Sequence, residues 1–416
     1  MSELVEKIIQ PQPSTERRNG HRRLKLGFFV LEGLNALATG YYFNYLPFYL
    51  QKHFGFGDRR NLLITALYGF CYMFAAAYGG RFGKKHGYFL SLRIGFVGMG
   101  IFMALGGIAP HFLGYLHPLM LLQILIVIGW TLTMCFTWPS LQAVLSHAQT
   151  PTELPHTAGI YNMVWAGASA LAYLTSGALL DRFGGEILFW VPAGIHVVQL
   201  ALLPALEKLD RSLPVVQPAP PIEPLPELNP RPIARAKTFV RLAWIANPFA
   251  YMAIYGVIPI IPHLAKQFDL SPTYAGLVCS IWFWVRVGAF ATFWLWAGWH
   301  YRFRWLLAAF VGLIASYIAI AMSVSLGMLI GAQVVFGLVV GLIYYSSLFY
   351  SMDVGESRGK RGGFHEAAIG LGIFVGPATG VGALQTFPNH PNAGTWAIST
   401  LLVIGLGLFL WTGRQK

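Results

Sequence analysis

The sequence predicts an all-α membrane protein with twelve transmembrane helices in two six-helix bundles. Three observations carry the prediction. Charge is scarce and gathers at the ends of long apolar runs. Each run is about as long as one or two membrane crossings. A proline-dense segment divides the runs six from six. Of 416 residues, 56% are hydrophobic and 11% charged, against about 25% charged in an ordinary soluble domain. That leaves too little polar surface for a water-soluble fold of this size. Glycine is abundant, with 46 residues, as expected where helices approach closely in lipid. Cys71, Cys135 and Cys279 fall inside apolar runs. They show neither a disulfide framework nor metal-ligand spacing, so neither a metal nor a cofactor is expected.

Residues 1–25 are polar and basic and form an N-terminal tail. The apolar stretch that follows is too long for a signal-peptide core and lacks a small-residue cleavage pattern, so it reads as a retained helix. A helix needs about 20 mostly apolar residues to cross the hydrocarbon core. Runs without charge occupy 33–51, 61–80, 94–152, 154–180 and 187–206. The third is double length and is broken by Pro110 and His117-Pro118. These make six spans in a bundle of residues 26–206. The second bundle, 238–413, repeats the plan with runs at 242–265, 269–301, 305–352 and 367–413. The last two are double, the final one broken near Pro388 and Pro391, and Arg286 alone interrupts 269–301. Between the bundles, 207–237 reads as a linker. Pro214, Pro218, Pro220, Pro221, Pro224, Pro226, Pro230 and Pro232 favour extended polyproline II there. Residues 414–416 form a short C-terminal tail.

Lys and Arg near helix ends prefer the cytoplasmic side. With the N-terminus inside, the outer loops hold five of the 29 Lys and Arg: Lys52, Arg59, Arg60, Arg182 and Lys266. Arg286 lies within a span, and the other 23 fall on the inner side. Both termini are therefore expected in the cytoplasm, at a bacterial inner membrane. The net charge of +13 then belongs to contacts with anionic membrane lipids, and no nucleic-acid partner is expected. An internal repeat supports the count. Gly159, Gly167 and Gly177 in span five share their spacing with Gly362, Gly370 and Gly380 in span eleven, as in transporters built from parallel repeats.

The loop after span two reads Gly79-Gly80-Arg81-Phe82-Gly83-Lys84-Lys85-His86-Gly87. It resembles the signature loop of the major facilitator superfamily, with Arg81, Gly83, Lys84 and Lys85 matching and Gly80 standing where the family usually has Asp. Ser176 to Gly184 and Gly376-Pro377 are also similar to elements of that superfamily. The resemblance implies a secondary transporter with alternating access about a cavity lined by spans one, four, seven and ten. It also implies a small-molecule substrate and a monomer. Arg81, Gly83, Lys84 and Lys85, together with Asp353 and Glu366, would form a cytoplasmic gate; simple positive-inside anchoring and solvated loop charge are the alternative readings.

A charge at the centre of a transmembrane helix costs about 2.5–3.5 kcal/mol on insertion scales, so the intramembrane charges are the candidates for function. Arg286 stays charged and needs an anion, either a substrate carboxylate, phosphate or sulfate or a carboxylate of the protein. Glu32, about two turns into span one, is a candidate for proton coupling, since a desolvated carboxyl favours its neutral form; it is equally a candidate partner for Arg286. Asn35, Tyr41, Trp138, Gln142, Asn162, Trp165, Tyr255 and Tyr344 join Arg286 as candidate substrate-binding groups. His196 reads as a satisfied buried histidine and Arg93 as a snorkelling side chain. The leading expectation is a carrier of a small organic solute, anionic or zwitterionic, coupled to protons. A lipid or lysolipid carrier on the same scaffold is the alternative. An embedded enzyme is disfavoured, because no zincin motif, nucleophile elbow or phosphate loop is present.

Overall fold

The computed structural model describes residues 15–146, 154–213, 230–353 and 358–414, with side chains over 19–145, 156–213, 235–351 and 366–414. Among them, all regular structure is helical. Span one consists of α1 (Thr15–Phe43) and α2 (Leu46–Phe54). Spans two and three are α3 (Asp58–His86) and α4 (Tyr88–Leu113). Span four is α5 (His117–Met134) with α6 (Trp138–Ser146), and α7 (Leu154–Phe183) and α8 (Ile187–Ser212) complete the first half. In the second half, span seven is α9 (Pro230–Val257), a 3-10 turn at Ile258–Ile260 and α10 (Ile261–Gln267). Span eight is α11 (Pro272–Cys279) with α12 (Ile281–Leu295). Then follow α13 (Phe303–Ala321), α14 (Leu326–Asp353), α15 (Arg358–Thr386) and α16 (Ala393–Arg414).

By length and composition, eleven helical stretches among the described residues suffice to cross a membrane. The twelfth span, α1–α2, is less apolar because it carries Glu32, Asn35, Tyr41, Tyr42 and Asn44. Its α1 lies against α7 and α8, where Glu32 and Asn35 are fully buried. The expected linker is shorter at its C-terminal end than proline density suggests, since α9 begins at Pro230 and contains Pro232. A proline in the first turn gives up an N–H that has no helical partner anyway, so it starts a helix as readily as it breaks one. Residues 214–229 of that linker lie outside the described residues.

Among the described residues four spans are interrupted, two in each half, and the breaks in spans one and seven occupy equivalent positions. Asn35 precedes Pro47 by twelve residues, and Asn247 precedes Pro259 by the same twelve. Spans one and seven are interrupted just before or at these prolines. Span four breaks between Met134 and Trp138. There Thr137 Oγ1 donates to Met134 O (2.7 Å) and accepts from Asn35 Nδ2 (3.1 Å). Span eight breaks at Ser280, whose hydroxyl donates to Leu277 O (3.0 Å). Backbone freed at membrane depth needs such internal partners.

The halves meet along two seams, α3 with α15 and α7 with α11 and α12. Two of the repeated glycines in each half, Gly159 with Gly177 and Gly370 with Gly380, lie on these seams. A Cβ at Gly177 would collide with Pro272 O, and one at Gly370 would stand 2.6 Å from Met73 Cα. Gly159 meets the Trp294 ring, and Gly380 faces Leu62 and Ile398. These four glycines thus stand where helices of opposite halves pack closely.

Candidate functional site

Between the seams lies a cavity of about 140 Å³. Half of its lining residues are aromatic, and they come from both halves: Phe43, Tyr68, Tyr72, Trp138, Tyr161 and Trp165 from the first, Tyr251, Tyr255, Trp282, Phe283 and Tyr344 from the second. Gln142, Asn44, Thr39 and Ser169 add neutral polar groups. Two lining side chains carry charge, Arg286 and Glu366.

Arg286 is 3% exposed on α12. Its guanidinium carbon lies 4.6 Å from the Trp165 ring centroid and 5.3 Å from those of both Phe290 and Tyr344. Trp165 belongs to the opposite half, so the cage straddles the seam. Tyr344 packs on Trp165 and Phe290 (5.5 and 5.7 Å), which holds the cage together. Among the described residues Arg286 makes no ion pair, and its Nε and Nη2 have no hydrogen-bond acceptor. Of the two partners weighed from sequence, a protein carboxylate is therefore not the one seen.

Glu366 is 4% exposed near the start of α15. Tyr72 Oη donates to its Oε2 (2.5 Å) and Gln142 Nε2 to its Oε1 (2.9 Å). Both donors come from the first half, so this carboxylate ties the halves together inside the membrane. Sequence reasoning grouped it with the basic loop charges, but the α15 helix turns it into the cavity. Arg81, Lys84 and Lys85 are instead exposed at the end of α3 and make no ion pair among the described residues. Gly83 has a packing part: a Cβ there would stand 2.9 Å from Ser140 Oγ and 3.1 Å from the Tyr88 ring. The side chain of Asp353 lies outside the described residues.

Glu32 is fully buried and sits behind the wall rather than in it. Neither carboxyl oxygen makes a hydrogen bond among the described residues. Its polar neighbour is Tyr161, which does line the cavity. Six predicted substrate groups, Arg286, Trp138, Gln142, Trp165, Tyr255 and Tyr344, stand in the wall. Three do not. Asn35 is engaged with Thr137, Tyr41 bonds Thr175 Oγ1 (2.7 Å) on α7, and Asn162 Oδ1 accepts from Trp165 Nε1 (3.0 Å). Asn162 thereby orients a cavity residue without reaching the cavity itself. Tyr68, Tyr72 and Tyr161 were not singled out from sequence. The one-turn spacing of Tyr68 and Tyr72, on a helix whose Phe70 and Phe74 are exposed, was the available signal. His196 Nδ1 lies 2.8 Å from Gln199 Oε1, and Arg93 pairs with Glu207.

The end of the molecule opposite both termini is closed by bonds between the halves. His263 Nδ1 lies 2.8 Å from Asp58 Oδ2, and Asp181 Oδ2 accepts from Thr273 N (2.9 Å) and Oγ1 (2.5 Å). Asn61 Nδ2 donates to Pro259 O and Tyr45 Oη to Pro272 O, each at 3.3 Å. Among the described residues, no group of three or more His, Cys, Asp or Glu could hold a metal ion.

The family model described as Major Facilitator Superfamily matches residues 28–245 and 243–416. Similar solved structures include a bacterial homologue of the human lysosomal transporter Spinster, inward-facing and occupied, with a TM-score of 0.68 at 16% identity, covering 97% of this chain and 98% of that one. The unoccupied form gives 0.63 at 14%, covering 96% of each. A variant of the nucleoside transporter NupG gives 0.62 at 13%, covering 94% of this chain and 99% of that one. No curated protein matches the chain.

Proposed function

The chain belongs to the major facilitator superfamily, a multi-pass membrane transporter and not an enzyme, and from that premise we propose that it carries a small organic solute with an anionic or zwitterionic group, coupled to protons. The observation that supports this reading is Arg286, a permanent cation buried in the cavity wall with no anion beside it among the described residues. Aromatic faces hold the guanidinium in place and supply part of its stabilisation, about 0.5–2 kcal/mol for such contacts. They leave Nε and Nη2, which have no acceptor among the described residues, for a ligand. A carboxylate or phosphate can accept two guanidinium N–H groups side by side. The surrounding rings suit an apolar or planar body.

Glu32 is the coupling group in this reading. Tyr161 stands between it and the cavity, so a proton exchanged there need cross one side chain. On the charge bias, the termini face the cytoplasm of a bacterial inner membrane. The sealed end is then the outer one, and the protein works as a monomer among anionic lipids.

The test is thermal unfolding of the purified protein against sugars, organic anions, amino acids and lysolipids, because a ligand that binds only the folded state stabilises it. Anions or zwitterions raise Tm in the wild type, and Arg286→Ala loses the shift. Stabilisation by lysolipids alone, unchanged in Arg286→Ala, would transfer support to an amphiphile carrier, which the aromatic wall also suits. For coupling, uptake by Glu32→Gln no longer responds to an imposed pH gradient; an unchanged response removes Glu32 from that role.

A further inference from the structure

We propose that the cavity binds a zwitterion, its anionic group on Arg286 and its cationic group on Glu366. This rests on the reading of Arg286 as the anion anchor and adds the second pole.

Arg286 and Glu366 are the two charged side chains in the described wall, of opposite sign and not paired with one another. Tyr251 lines the same cavity as both, so they face one shared space. Glu366 takes one hydrogen bond on each oxygen, from Tyr72 and Gln142. Both donors are neutral, so they orient the carboxylate without cancelling its charge. An ionised carboxylate has about four acceptor sites, and two remain for a ligand. The charge count then selects among substrates. A simple anion drawn to Arg286 meets repulsion from Glu366, and a simple cation meets it from Arg286. At close quarters in a desolvated site, such mismatches reject the wrong ligand more strongly than attraction favours the right one. A zwitterion satisfies both poles and enters without changing the net charge of the site. The body between its charges faces rings such as Tyr68 and Tyr255, whose centroids are 5.8 Å apart at an interplanar angle of 21°.

The placement also connects binding to movement. Each pole belongs to the second half and rests on groups of the first: Arg286 on Trp165, Glu366 on Tyr72 and Gln142. A ligand ammonium on Glu366 shares that carboxylate with the two donors that tie the halves together there. A plain anion on Arg286 leaves that tie untouched.

The experiment uses the full chain in detergent and matched ligand series. Phenylalanine, its N-acetyl derivative and its amide present zwitterion, anion and cation on one body; leucine and glycine series change the body. Lysophosphatidylcholine separates a zwitterionic lipid headgroup from a small solute. The expected result is that, for at least one body or for the lipid, the zwitterion binds the wild type at least about tenfold more tightly than its singly charged relatives, read from Tm against concentration. In Glu366→Gln, which keeps the size of the side chain, zwitterion and N-acetyl anion become equivalent. The assignment is overturned if anions bind as well as zwitterions, if no zwitterion shifts Tm, or if Glu366→Gln keeps the tenfold preference. Should that variant fail to fold, the wild-type comparison within each body decides alone. Anions that bind through Arg286 without a zwitterion preference sink this inference and leave the anion anchor standing. Binding unaffected by Arg286→Gln removes both.

Discussion

The two halves share a plan and differ in charge. Both carry a buried asparagine twelve residues before a proline break, and both place repeated glycines where they meet the other half. Yet Arg286 and Glu366, the charged groups of the cavity wall, belong to the second half. The first half contributes neutral donors and rings, and its one deep carboxyl, Glu32, stands behind the wall. The duplicated features are those that close packing of helices requires in lipid. The unduplicated ones are those a particular ligand would require. Symmetry thus builds the scaffold, and the proposed site lies where it is broken.

The largest test of this contrast is Arg286→Ala. Truncating one partner of a buried charge contact costs about 2–5 kcal/mol. The apparent affinity of any anionic or zwitterionic ligand should fall by at least about thirtyfold, measured by thermal shift. A variant that binds as the wild type does would move the site elsewhere. Next in size are Gly177→Val and Gly370→Val, one at each seam. Overpacking costs about 1–3 kcal/mol, so each should lower Tm, and by a similar amount. A large effect at one seam alone would break the structural equivalence of the halves.

The seams were open to sequence reading because a glycine that permits close approach has no substitute of its own size, and its spacing survives in the chain. Span ends were equally open, since Pro110, Pro118 and Pro388 interrupt apolar runs and charge is excluded from the hydrocarbon core. The cavity was only half legible. Arg286, Trp165 and Tyr344 are unusual enough in composition or position to stand out. Asn35 and Tyr41 look the same on paper, but the rotation of α1 within its bundle decides which face they take, and that rotation depends on packing against α7 and α8. Glu366 was misplaced for a related reason. Its neighbours in sequence are the basic residues Arg358, Lys360 and Arg361, whereas its neighbours in space, Tyr72 and Gln142, lie hundreds of residues earlier.

Trp165→Leu sharpens the contrast at smaller scale, by removing the ring that the first half offers to the second half's cation. Loss of one cation–π face, about 0.5–2 kcal/mol, should weaken ligand binding by about two- to thirtyfold while leaving the protein folded; a gain in affinity would mean that Trp165 competes with the ligand. The smallest effect compares Asn35→Leu with Asn247→Leu. Asn35 gives up its bond to Thr137, at about 1 kcal/mol. Asn247 has neither side-chain polar atom bonded among the described residues, so its replacement should leave Tm unchanged or raised. Equal losses would show that the two asparagines are equivalent in bonding as well as in position.

The most direct test of the account is solute exchange in proteoliposomes, using whichever anion or zwitterion most raises Tm. Exchange by the wild type should saturate with substrate, and exchange by folded Arg286→Ala should be no faster than in protein-free vesicles. Equal rates in the two proteins would contradict it.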